Sequence, residues 1–205
     1  MSKFVAEHDV PLEGVMDVDA AIARSVGQTT KGMFFTRLAD RLRDRWREIE
    51  PALDKPPRLG RYVPFVDYPS CDHVRLVRAA AHRSYPLLSE REGHRRLGRL
   101  GLEDFKSSRV GSVFLAMLGG PREALLRFPT GWKMSVRNST EVRCEEKPKG
   151  VILHFEQGAV LEPEYLLGTI EAVVRHWGTT PRTTVTIDDT STHYDVELVA
   201  GASIA

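Results

Sequence analysis

The sequence predicts an α+β domain: a helical N-terminal two-thirds packed on a mainly antiparallel sheet of about four to five strands, with a late crossing helix. Three observations predict it. Apolar residues recur at intervals of three and four between about 31 and 128. After Pro129 the period shortens to two, interrupted by one helical stretch from Glu162. With 205 residues, 41% of them hydrophobic, the chain can bury a core without a disulfide or metal staple. One domain over 1–205 is expected, made of an extended segment (1–30), a mainly helical part (31–128), and strands, a helix and a terminal hairpin (129–200).

In order, 1–30 reads as a short extended piece around 10–18 followed by a loop. From Lys31 a helix carries Phe34, Leu38, Leu42, Trp46 and Ile49 as one apolar stripe, capped by Thr30 and stopped by Pro51. Residues 51–69 hold five of the twelve prolines and form a loop that Tyr62, Phe65 and Tyr68 pin to the core. Ser70 and Asp72 open a helix that runs to about Ser84, before Pro86. Ser89-x-x-Glu92 has the form of a capping box for the next helix, which carries Gly93, Gly98 and Gly101. Glycine weakens a helix interior by up to ~1 kcal/mol, so Gly98 is expected where another backbone packs closely. Helices follow over about 109–118 and 121–128. GWKMSVRNS and TEVRCEEK then read as strands, KPKG as a turn and VILHFEQ as a strand. Residues 162–177 are helical with Gly178 as C-cap. TTVTID and HYDVELV close the chain as a hairpin turned at 188–191.

Composition narrows the function classes. Net charge is +1, which argues against a dedicated nucleic-acid binder. Charge is uneven, however: 73–109 holds nine Lys/Arg against four Asp/Glu, and 141–205 holds five against eleven. Such asymmetry suits self-association or capture of an anion. Cys71 and Cys144 form no disulfide framework, no apolar run reaches the ~20 residues of a membrane span, and the N-terminus is too polar for a secretory signal. A cytoplasmic protein is the expectation.

Catalytic and metal spacings are missing. There is no GxSxG elbow, phosphate loop, HExxH or CxxC. Asp188-Asp189 and Glu145-Glu146 read as solvated turn and strand-end residues. Cys71 lies at a helix start, where the dipole would favour a thiolate, but Cys71-x-His73 alone is not a metal site. The sharpest surface feature is basic: Arg91, Arg95 and Arg99 line one helix face with Arg96 beside them, and Arg78 and Arg83 precede them. Arginine forks suit phosphate or carboxylate, so a nucleotide, an acidic partner or the chain's own acidic C-terminal half are the candidate counterparts. Phe34, Tyr62, Phe65, Tyr85, Phe114, Trp132, Phe155, Tyr165 and Trp177 form either a core or the lining of a ligand cavity.

KGMFF at 31, DYP at 67, YP at 85, HRRLGRLGLEDFKSSRVG at 94–111, LGGP at 118 and LLRFP at 125 together resemble a family abundant in myxobacteria, domain of unknown function 2378. The late strand–helix–hairpin unit is similar to a broader superfamily of haem nitric-oxide sensors, vinyl-reductase domains and vesicle-tethering TRAPP subunits. That resemblance implies a cavity between helices and sheet, a small apolar or aromatic ligand, and dimers. It also brings haem into view, and the residues argue against it. The Tyr-x-Ser-x-Arg motif of the haem sensors has as its nearest text Phe105-x-Ser107-x-Arg109, without the tyrosine, and the plausible iron ligands, His73 and His82, read as helix-surface residues. The expectation is a non-catalytic regulatory or sensory module, dimeric, without cofactor. The alternative is an interaction module that docks an acidic partner on its basic helix face.

Overall fold

The computed structural model describes residues 2–7, 10–14, 17–57, 61–106, 109–139, 141–156, 162–188 and 191–199; the side chains of Ser2, Asp104, Arg109 and Val110 are outside the description. Helices α1 (Val18–Arg24), α2 (Met33–Arg41), α3 (Trp46–Ile49), α4 (Ser70–Ser84), α5 (Glu90–Lys106), α6 (Arg109–Ala116), α7 (Pro121–Leu126), α8 (Phe128–Ser135) and α9 (Pro163–Arg175) join eight strands. These are β1 (Ser2–Ala6), β2 (Thr29–Lys31), β3 (Asp67–Pro69), β4 (Val136–Arg137), β5 (Val142–Lys147), β6 (Gly150–Glu156), β7 (Thr180–Ile187) and β8 (Ser191–Val199). The mixed α+β architecture is the expected one.

The main sheet is antiparallel, in the order β1-β7-β8-β6-β5, and a small second sheet has the order β3-β2-β4. Strict alternation sets the main sheet's faces. Val151, Leu153 and Phe155 of β6 and Tyr194 and Val196 of β8 point inward and are buried, while Ile152, His154, His193 and Asp195 point out. Helix α9 lies on the inner face, where Leu166, Leu167, Ile170 and Val174 meet those strand residues with Leu125 and Trp132. Helix α5 crosses α9 on the side away from the sheet, and α4 and α2 pack outward from α5. A second core sits there: Phe35, Leu38, Leu42, Tyr62, Tyr68, Leu76, Val77, Leu97 and Tyr165. Two apolar cores thus flank the α5–α9 crossing.

The crossing is set by two glycines. A Cβ on Gly98 would stand 1.9 Å from the Tyr165 carbonyl oxygen, and one on Gly168 would stand 1.9 Å from that of Arg95. Each helix presents its bare backbone to the other, as the position of Gly98 led us to expect.

Four expectations are corrected. The first thirty residues hold an edge strand and a helix instead of an extended piece around 10–18; Asp17 caps α1 by accepting from the Ala20 amide at 2.9 Å. The helix from Lys31 starts at Met33 and breaks after Arg41 into a 3-10 turn and α3. Its buried aromatic is Phe35, with Phe34 half-buried, and Thr30 sits in β2, its hydroxyl 2.8 Å from that of Ser70. GWKMSVRNS is mostly helical: Phe128 and Trp132, four apart, both turn toward Phe155, and only Val136 and Arg137 pair as strand. The alternation of Trp132, Met134 and Val136 fits either period over so short a stretch. Ser89 does accept from the Glu92 amide at 3.1 Å, but the Glu92 carboxylate turns instead to Leu12, Arg95 and Arg96.

Candidate ligand groove and the ionic layer beneath it

The arginines of α5 face the acids of α9. Four-residue spacing puts Arg91, Arg95 and Arg99 on the face that crosses α9, and α9 interrupts its apolar surface there with Glu164 and Glu171. Arg95 is fully buried and grips Glu171 bidentately, Nε to Oε2 at 3.0 Å and Nη2 to Oε1 at 2.6 Å. Its remaining donors reach the carbonyls of Val10 (2.9 Å) and Glu7 (2.7 Å). Arg99 donates to Glu171 at 2.8 Å and Arg91 to Glu164 at 2.7 Å. Arg96, half-exposed, donates to Glu92 at 3.1 Å, and Glu92 accepts the Leu12 amide at 3.1 Å. The counterpart of the basic stripe is therefore the chain's own acidic half. A buried fork with its lone pairs and protons satisfied is the form in which burying charge is tolerated.

Beside this layer, the His94 Nδ1 lies 2.7 Å from Glu162 Oε2, both side chains fully buried. Burial alone would strip the charge from His94, but Glu162, with Glu90 and Glu164 behind it, outweighs burial and raises its pKa. Burial pushes Glu162 up as well, against the opposing pull of His94. Both shifts have one sense: the pair holds on to its proton.

His94 is also at the floor of a groove of about 600 Å³ between α1, α4 and α5. Ala79, Ala81 and Gly93 keep it open, Ile22, Tyr85, Pro86 and Leu88 give it apolar walls, and Arg75, Arg78 and His82 line it along α4. Arg78 pairs with Glu90 at 3.3 Å; Arg75 is anchored to Asp54 and Asp72 at 2.9 and 2.8 Å. A second depression of about 540 Å³ lies on the outer sheet face, lined by Lys147, Lys149, Arg182 and Asp195 among others.

The aromatic candidates do not converge on one cavity. Tyr62 stacks on Phe35 with ring centres 4.7 Å apart, and Tyr165 meets His73 edge-on, all in the outer core. Trp132 packs on Phe155 in the sheet core, with half-buried Trp177 beside that core. Phe34 is half-buried; Phe65 is 68% exposed, and Phe114, 38% exposed, stands edge-on to Phe105. Of the candidates, Tyr85 lines the groove. Between α9 and the sheet lie the buried side chains of the inner core.

Cys71 corrects the thiolate expectation. Burial pushes its pKa up to about 11, and its sulfur donates to Asp54 at 3.1 Å. Asp54, Cys71 and Asp72 come within metal-binding reach of one another. However, Arg75 reaches both carboxylates, and Asp72 already accepts the amides of Asp54 and Lys55. Sequence reasoning missed the roles of Glu162, Glu164 and Glu171; the signal available was one acid at the start of a mostly apolar helix and two within it.

The fold is shared with solved H-NOX structures. An Fe(II) unliganded H-NOX protein from K. algicida matches at TM-score 0.62 and 15% identity, over 85% of this chain and 100% of that one. The Fe(II)NO state of an H-NOX protein from S. oneidensis matches at 0.61 and 14%, over 83% and 99%. A mutant of the T. Tengcongensis H-NOX matches at 0.57 and 15%, over 83% and 98%. No curated protein matches the chain. A haem needs an axial protein ligand that faces a cavity. Among the described histidines none is so placed: His73 is walled in by Phe35 and Tyr165, His94 is committed to Glu162, His82 is exposed on α4, and His154, His176 and His193 are outside the core. Of the Phe105-x-Ser107-x-Arg109 text, Ser107 and the Arg109 side chain lie outside the described residues, as does His8. Residues 23–197, most of the chain, match the model described as protein of unknown function (DUF2378), and the chain belongs to that family.

Proposed function

We propose that this chain is a non-catalytic sensory module whose ligand is a small molecule with an apolar or aromatic body and an anionic group, held in the groove between α1, α4 and α5. The observation that carries this reading is the groove itself: small residues open it, apolar side chains wall it, and Arg78 and His82 stand along it. Signalling would run through its floor. His94 ties α5 to Glu162, the residue that precedes α9, and the Pro163 carbonyl accepts from the buried Tyr194 hydroxyl of β8 at 3.1 Å. A ligand pressing on Gly93 and His94 would shift α9 against the sheet. Likeness to H-NOX domains supports a sensory role by analogy of fold. The fully buried state of Arg95 disfavours a partner docked on the basic helix face.

The test is native mass spectrometry with an absorption spectrum on gently purified protein, followed by thermal shift against a panel of aromatic carboxylates and phosphates. A bound mass, or a shift reduced about tenfold in apparent affinity by Arg78→Glu with His82→Glu, is expected; ~1.4 kcal/mol corresponds to that factor. A clean apo mass with no shift across the panel would overturn the reading. The same spectra report whether the module is a dimer, which is part of the proposal.

A further inference from the structure

The outer face of the sheet carries two histidines that the sequence separates by 39 positions and the fold places side by side. His154 of β6 and His193 of β8 are directly paired in register. Their Nδ1 atoms are 2.9 Å apart, with the rings edge-on at 72°. Each ring is held from behind. The His154 Nε2 lies 3.3 Å from Glu145 Oε2, and the His193 Nε2 lies 2.7 Å from Ser191 Oγ, which itself donates to Asp188 Oδ2 at 2.7 Å. With both Nε2 atoms donating outward, two Nδ1 lone pairs would point at each other. A metal ion between them would satisfy both lone pairs; a ring proton on one Nδ1 would instead make an ordinary Nδ1–H···Nδ1 hydrogen bond. Metal-binding histidines are oriented in just this manner, the second ring nitrogen donating to a carboxylate or hydroxyl.

We propose that His154 and His193 form a site for a borderline divalent transition ion, Zn(II) being the test case, with Nδ1 of each as ligand and Glu145 and Ser191 as positioning residues. Two nitrogens at about 2.0–2.1 Å from one tetrahedral ion stand ~3.4 Å apart. The rings therefore separate by about half an ångström, which side chains 29% and 32% exposed on a strand surface can do by rotation. Imidazole suits Zn, Cu and Ni over Mg or Ca. The remaining coordination positions face solvent, and nearby Glu156 and Asp188 favour a cation there, although Arg143 opposes it. This site is remote from the groove and does not rest on the sensory reading.

The experiment is a calorimetric titration of the tag-free full chain with Zn(II), with the histidine ring nitrogens observed by NMR. One ion per chain is expected, with the Nδ1 signals of His154 and His193 moving. His154→Gln or His193→Gln should weaken binding at least tenfold, and Glu145→Gln on the order of tenfold through the ring it holds. All three side chains are at the surface, so unchanged circular dichroism and melting temperature certify the variants. Absence of binding, or affinity unaltered in the His154→Gln/His193→Gln double variant, would overturn the proposal.

Discussion

At the scale of single residues, two of the described imidazoles, His73 and His94, are buried and have opposite titration behaviour. His73 is fully buried with no well-formed hydrogen bond to either nitrogen, wedged between Phe35 and Tyr165. Burial lowers its pKa to about 4, a change the nearby Phe34 carbonyl only partly opposes. The unfolded chain binds this proton near pH 6.5 and the folded chain only near 4, so protonation favours unfolding. Stability is complete above about 6.5 and falls as the pH drops toward 4, by ~3 kcal/mol at the bottom of that window. His94 and Glu162 act in the other direction. With folded pKa values raised above the unfolded ones, their contribution is present at low pH and is lost as the pH rises through the folded values. Urea unfolding from pH 4 to 7 should show the acid loss, and His73→Phe should flatten it. An unchanged acid limb in that variant would mean that other groups set it.

At the scale of elements the decisive contact is α5 on α9. Gly98→Ala places a methyl group 1.9 Å from a backbone oxygen of the other helix, which no side-chain rotation relieves. The helices must part and loosen both cores, so a loss of ~3 kcal/mol or more is expected, at the upper end of overpacking costs. Gly101→Ala, which meets only the end of the Tyr165 side chain at 2.9 Å and gains helix propensity, should lose clearly less; equal losses would show that the close backbone approach at Gly98 does not set the cost. Glu171→Ala strands Arg95 and should lower stability by ~3–5 kcal/mol. The same contact shows what sequence can convey. Helices α4, α5 and α9, the hairpin strands and the reason for Gly98 were legible, because periodicity, caps and glycine cost act locally. Burial of Arg95 was not, since Arg91, Arg95 and Arg99 have the spacing of any solvated stripe until α9 brings Glu164 and Glu171 opposite them. Of the groove, sequence reasoning named Tyr85 but had no means of bringing α1 beside α4 and α5. The break after Arg41 and the helix at Phe128–Ser135 were decided by packing on stretches whose local period admits two readings.

At the scale of the whole molecule, β1 joins the main sheet as an edge strand beside β7, and the segment that follows it then becomes a strap over the ionic layer. β1 pairs with β7 from Ser2↔Ile187 to Ala6↔Thr183 and shields its edge. Just beyond it, Glu7 and Val10 supply carbonyls to Arg95, Leu12 gives its amide to Glu92, and Ser89 donates its hydroxyl to the Leu12 carbonyl. Among the described residues no helix is long and apolar enough to cross a membrane. Removing residues 1–14 takes two carbonyl partners from a buried guanidinium, each charge-assisted bond contributing ~1.5–3 kcal/mol. It also bares β7 as an edge. The truncated chain should therefore unfold at lower urea by ~3 kcal/mol or more and associate at concentrations where the full chain does not. The two effects separate in a double-mutant cycle with Arg95→Met. If the strap stabilises through Arg95, truncation should lower stability far less in the Arg95→Met background than in the natural one, while association persists in both. If truncation lowers stability equally in the two backgrounds, the strap acts only as an edge strand, and the link from the chain's beginning to the α5–α9 layer is structural coincidence.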